Sequence, residues 1–191
     1  LRLPQQKAGA ILQAWYPGAQ GGHAVARVLF GESCPEGKLP VTFYRTAEEL
    51  PEFTDYSMQG RTYRYMKQDA LYPFGYGLSY TRFEQGKAEV SKESIEAGGC
   101  VELRVSVKNT GMMAGGQTVQ VYVKALREGT PNPQLKGLKK VFLQPGGETQ
   151  VCISLPDTAF ALYDEDGRRM LEAGEYAVYV GMQQPDERSA I

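Results

Sequence analysis

Histidine is nearly absent from these 191 residues, and the three cysteines, Cys34, Cys100 and Cys152, lie far apart. A zinc site or a disulfide scaffold needs close pairs or an even, regularly spaced set, so His23 and these thiols support neither, and no metal or other cofactor is expected. So few cysteines fit the cytoplasm slightly better than the exterior, without excluding export of a longer precursor. No stretch approaches the roughly 18 consecutive apolar residues of a spanning helix, so no membrane partner is expected. An excess of one charge is lacking too. With 21 Lys+Arg against 22 Asp+Glu the net charge is -1, which leaves no basic footprint for nucleic acid. The length falls short of the about 250 residues of an eightfold barrel. Leu1-Arg2-Leu3-Pro4 is neither a starting methionine nor a signal peptide, so the chain is expected to begin in mid-protein.

What is present is an ordinary globular composition, 42% apolar and 23% charged, with 12 tyrosines. Residues 10–16 form a nearly continuous apolar run that suits a strand buried on both faces, stopped by Pro17-Gly18. After Gly21-Gly22, Val25, Val28 and Leu29 recur at helical spacing, and Gly31 is placed to cap the helix. This is half of a βαβ unit, whose parallel neighbours the chain does not contain. From Cys34 to about Phe83 periodicity is lost and aromatics cluster at Tyr63–Tyr65 and Tyr72–Tyr80; a segment of this length and composition is expected to cover a surface already formed. Beyond about residue 86 the period becomes two. Val101, Leu103, Val105 and Val107, then Val119, Val121 and Val123, alternate with polar residues, and Val141, Leu143, Val151, Ile153, Leu155, Tyr176, Val178 and Val180 continue the pattern between Gly- and Asp-rich turns. About seven short strands in about 100 residues predict an immunoglobulin-like β-sandwich. The expected fold class is therefore mainly β: a sandwich over 86–191, an irregular strap over 46–85 and a remnant strand–helix unit of an α/β sandwich over 1–45.

Catalytic constellations are weak. Gly18–Gly22 matches neither a dinucleotide fingerprint nor a P-loop and is read as a strand-to-helix turn. His23 at the start of a helix and Cys34 in a turn make no triad. Asp164, Glu165 and Asp166 precede Gly167 and are read as turn chemistry, while Glu48, Glu49 and Asp55 lack neighbours that would raise a carboxyl into the acid-catalyst range. Flat rings can stack on the C–H faces of sugars, so Trp15, Tyr16, Tyr63, Tyr65, Tyr72 and Tyr76, with Arg61 and Arg64 as donors, are candidates for a carbohydrate cleft; packing is the competing role for each ring. A stand-alone carbohydrate-binding or interaction module is the rival, and it requires Tyr122, Tyr163 and Tyr179 on one flat exposed platform.

Four ordered strings, AILQAWYPGAQGG at 10–22, ARVLFG at 26–31, GKLPVTF at 37–43 and YPFGYGLSY at 72–80, resemble the closing part of glycoside hydrolase family 3 enzymes. VKNTG at 107–111, VQVYV at 119–123 and LKKVFLQPGGE at 138–148 are similar to the fibronectin type III-like domain that follows in many members. The resemblance implies a retaining β-glycosidase acting on terminal β-linked sugars of oligosaccharides. It also implies an aspartate nucleophile on an N-terminal barrel and a glutamate acid/base upstream of the AWYPG strand. Neither motif occurs here, so no catalytic residue is assigned and this portion is expected to be structural and inactive alone. GRTYRY at 60–65 looks closer to the xylosidase-like branch, which leans the substrate toward β-xylosides with β-glucosides next, and makes Arg61, Tyr63 and Arg64 the substrate-binding candidates. The expected partners are the missing N-terminal catalytic domains, the oligosaccharide substrate of the full enzyme and, as a further candidate, a second copy in a homodimer.

Overall fold

The computed structural model describes residues 2–185. Its body is a sandwich of two antiparallel sheets. In the first, β3 (Cys100–Asn109) pairs along one edge with β6 (Glu148–Pro156) and along the other with two short strands in succession, β1 (Phe83–Gln85) and β2 (Glu89–Val90). In the second, β4 (Gly115–Ala125) lies between β5 (Gln134–Leu143) and β9 (Tyr176–Gly181). A two-stranded hairpin, β7 (Leu162–Tyr163) with β8 (Arg169–Met170), stands apart. Its turn uses the acidic residues as the sequence suggests: Asp164 accepts from the Arg168 N–H at 2.8 Å, and Gly167 adopts a left-handed φ of 76°.

The valine alternation builds the core. Leu103, Val105 and Val107 of β3, Val119 and Val121 of β4, and Val151 and Leu155 of β6 are essentially sealed from solvent. Branched side chains fit this half-buried pleated surface, and each contributes about 1.5–3 kcal/mol on burial. At one end Asn109 is a fully buried polar hub. Its amide donates to the carbonyls of Met113 at 2.8 Å and Leu143 at 3.0 Å, and its Oδ1 accepts from Thr81 Oγ1 at 2.7 Å and the Gly111 N–H at 3.0 Å. That pairing offsets the penalty of burying an amide.

The N-terminal unit is built differently. A six-residue helix, α1 (Arg2–Lys7), precedes the run expected to be a strand, and α2 (Gly21–Leu29) follows it. Gly31 has φ 75° and donates to Val28 O, the cap its position suggests. Residues 10–16, however, pair with no strand among the described residues, so a strand-like sequence stands without a sheet. Ladder hydrogen bonds need a neighbour, and the apolar run has none here. Burial is correspondingly inverted: Trp15 is 48%, Leu29 64% and Phe30 83% exposed.

Candidate functional site

Two rings from the aromatic-rich segment, Tyr63 and Phe74, lie against β4. A strand with one face in the core should show polar, solvated residues on the other. Here Gln120 and Tyr122, the residues that alternate with the valines, are buried as completely as the valines. The rings of Tyr63 and Phe74 stack on each other at 4.2 Å between centroids, and both meet Tyr122 edge-on at 6.2 and 6.5 Å. The Tyr122 hydroxyl donates to Gln120 Oε1 at 2.6 Å, and Gln120 Nε2 donates to the carbonyls of Gly75 and Met182, each at 3.0 Å. Burial pushes the Tyr122 phenol up from its ordinary range, with Tyr63 adding to the shift. Gly75 is required at this contact: its φ is 78°, and a Cβ there would fall 2.2 Å from Gln120 Oε1.

A second set of bonds fixes the strap's helical turn, α3 (Thr62–Tyr65). Asn132, in the β4–β5 loop, donates its N–H to Arg64 O at 2.8 Å and its amide to Tyr63 O at 3.1 Å and Met66 O at 2.8 Å. The Tyr63 hydroxyl accepts from the Leu135 N–H at 3.2 Å. On the opposite side the strap holds the N-terminal unit. The Leu39 N–H donates to Tyr76 O at 2.8 Å and its carbonyl accepts from the Gly75 N–H at 2.7 Å, Phe43 bridges Tyr72, and Lys38 Nζ donates to Gly77 O at 2.8 Å. Burial lowers the pKa of that ammonium. Trp15, Phe43, Tyr72 and Tyr76 form a chain of ring contacts at 6.3, 6.3 and 5.7 Å that continues outward from the strap.

The sequence candidates fall on this frame unequally. Arg61 is spent on its own loop, donating to the carbonyls of Ser57 and Glu52 at 3.0 Å and Asp55 at 2.5 Å. Tyr63 is buried in the aromatic trio. Arg64 is exposed, its guanidinium carbon 5.9 Å from the Tyr63 ring centre. Tyr16 stands in solvent, and Tyr65 is half-buried. The platform required by the rival module does not form, because Tyr122 is buried while Tyr163 is exposed.

The carboxylates are equally local. Asp55 accepts from the Ser57 N–H at 2.8 Å and hydroxyl at 3.1 Å, which holds its pKa below the usual range, and Glu49 accepts from the Arg45 N–H at 2.9 Å. Hydrogen bonds from its own N–H and Thr46 likewise lower Glu48. Each shift runs opposite to the direction an acid catalyst needs. Glu49 does line an open hollow of about 460 Å³ with Gln5, Gln6, Arg45, Thr46, Ala70 and Leu71. No carboxylate opposes it among those lining residues. Missed from sequence were Gln120, Tyr122, Asn109 and Asn132; each of the four has at least one partner 28 or more residues away, beyond the reach of local periodicity.

Comparison with known proteins gives two family matches along the chain. Residues 2–80 match the glycosyl hydrolase family 3 C-terminal domain, and residues 117–184 match a fibronectin type III-like domain. A xylan 1,4-beta-xylosidase of Xylanibacter ruminicola is 41% identical over 189 residues, covering 98% of this chain and 22% of its own length. A periplasmic beta-glucosidase of Salmonella typhimurium is 35% identical over 191 residues, covering 93% of this chain and 25% of itself. The solved structure of a beta-glucosidase from Kluyveromyces marxianus in complex with glucose superposes with a TM-score of 0.81 at 35% identity, over 96% of this chain and 24% of that one. The chain thus spans about a quarter of the length of the curated relatives it matches.

Proposed function

This chain belongs to glycosyl hydrolase family 3, as its C-terminal part, and from that premise we propose that it completes a retaining β-glycosidase that removes terminal β-linked sugars, β-xylosides or β-glucosides, from oligosaccharides. In this proposal residues 1–45 finish the α/β sandwich domain, 46–85 strap it to its neighbour, and 86–191 form the fibronectin-like domain. The chemistry belongs to the preceding polypeptide and the role of this portion is structural. One observation carries the proposal: the side chains of Ile11, Leu12, Trp15, Leu29 and Phe30, which the sequence marks for burial, face solvent in a chain a quarter of its relatives' length. Exposed apolar area of that kind marks an interface. Of the three sugar-contact candidates, Arg61 and Tyr63 are assigned to holding the strap, which leaves Arg64 free to contact a ligand.

The test pairs the 191-residue chain with the polypeptide encoded upstream of Leu1. Chromogenic β-xyloside and β-glucoside should be turned over only when both parts are joined. Turnover by the 191-residue chain alone overturns the assignment, and so does an upstream frame that encodes no barrel.

A further inference from the structure

Two surface segments of this chain carry opposite charge beside exposed apolar side chains. Residues 46–58 hold four carboxylates, Glu48, Glu49, Glu52 and Asp55, and no lysine or arginine. In the same stretch the rings of Phe53 and Tyr56 are 93% and 91% exposed, and Leu50 and Met58 are exposed as well. The loop that carries them is held from within. Arg61 ties the carbonyls of Glu52, Asp55 and Ser57 together, and Asp55 accepts from the Ser57 N–H and hydroxyl. A loop ordered in advance loses less entropy when it binds, and rings presented this way are the usual anchors of an interface.

The complement lies on β5. This strand pairs with β4 alone, so its other edge is open among the described residues. It carries Lys136, Lys139 and Lys140 and no acidic residue. Leu138, Lys140 and Phe142 alternate onto one face, where both apolar side chains are exposed. Among the described residues Lys140 is ion-paired, to Glu36 at 2.6 Å, whereas Lys136, Lys139, Glu48 and Glu52 are not. Like charges exclude the symmetric alternatives. Two β5 edges would oppose lysine to lysine, which is how natural sheets protect an edge, and two loops would oppose carboxylate to carboxylate. Loop against β5 is the combination that neutralises both.

We propose that residues 48–58 of one molecule seat on β5 of a second copy of this chain, with Phe53 and Tyr56 against Leu138 and Phe142 and the carboxylates against Lys136 and Lys139. This goes beyond the glycosidase assignment and does not depend on it. The test is charge reversal, read by sedimentation equilibrium of the 191-residue chain. One double variant, Glu48→Lys with Glu52→Lys, reverses the two loop carboxylates without an ion pair; the other, Lys136→Glu with Lys139→Glu, reverses the two unpaired lysines. Each alone should self-associate roughly tenfold or more weakly than the parent. An equimolar mixture should regain most of that loss, because each variant offers the surface that fits the other, and the recovery also shows that both are folded. Glu93→Lys with Glu96→Lys, the same charge change at exposed positions between β2 and β3, should associate like the parent. Raising the salt concentration should weaken parent and mixture alike. A parent that stays monomeric, double variants that associate as the parent does, or a mixture no tighter than its components overturns the interface.

Discussion

Replacing Tyr122 by phenylalanine removes one oxygen from the seam and leaves every ring in place. The structure fixes what that oxygen does: it donates to Gln120 Oε1 at 2.6 Å, and both side chains are buried. Tyr122→Phe therefore leaves a buried acceptor unpaired, which costs about 1–3 kcal/mol. For a chain of this size that lowers the thermal midpoint by about 2–12 °C, at roughly 2–4 °C per kcal/mol. Gly75→Ala attacks the same group from the other side. Its Cβ would lie 2.2 Å from Gln120 Oε1, so the glutamine must leave, and the substitution also carries a left-handed alanine. Once Gln120 has been displaced, loss of the hydroxyl matters less, so the double variant should be less destabilised than the sum of the singles by more than about 0.5 kcal/mol. The assay is urea unfolding followed by far-ultraviolet circular dichroism, because Trp15 fluorescence reports the N-terminal unit instead. A Tyr122→Phe variant within about 0.5 kcal/mol of the parent, or strict additivity with Gly75→Ala, refutes the coupling.

Alkaline pH should act on the same residue. Its phenol titrates above the ordinary value of 10.0, so the stabilisation is complete below that pH and is lost as pH rises beyond it, at up to about 1.4 kcal/mol per pH unit; midpoints measured from pH 8 to 11.5 should fall less steeply for Tyr122→Phe than for the parent. Arg61→Ala frees the carbonyls of Glu52, Asp55 and Ser57, so limited proteolysis should cut within residues 52–58 several times faster while the sandwich unfolds at nearly the same urea concentration. An unchanged cutting rate would show that the loop is held by something else. Leu103→Ala, in the sealed centre of β3, should cost about 2–5 kcal/mol by urea unfolding, and a loss under about 1 kcal/mol would mean that the core is looser than its burial implies.

Legibility from sequence followed the range of each interaction. Val101 through Val107 and Val119 through Val123 announce two strands because alternation is a property of neighbouring residues, and the sandwich follows from having many such runs. The helix at Val25–Leu29 and the cap at Gly31 are legible for the same reason. The run at residues 10–16 carries the signal of a buried strand and still forms no sheet, since pairing depends on a neighbour that periodicity does not report. Tyr122 shows the converse. Its alternation with valine says only that it faces away from the core, and whether that face meets water or a second layer is decided by residues 63 and 74, far off in the chain. Arg61 and Tyr63 are candidates for sugar contact by their donor and ring chemistry, and what that chemistry does not report is that the guanidinium bonds backbone carbonyls and the ring stacks on Phe74.

The polar character of the seam bears on how the two family domains are joined. An apolar seam would hold the strap as firmly but in several registers, because hydrophobic contact is non-directional. Gln120 and Asn132 each bond more than one strap or tail carbonyl, and Gly75 admits no side chain opposite Gln120. Sliding the strap by one residue would orphan these buried donors and bring a Cβ into the space Gly75 leaves open. The cost of burying amides is thereby turned into a single alignment, which Tyr72, Tyr76 and Lys38 pass on to the N-terminal unit. These directional bonds thus tie the position of the apolar face at Trp15 to the sandwich.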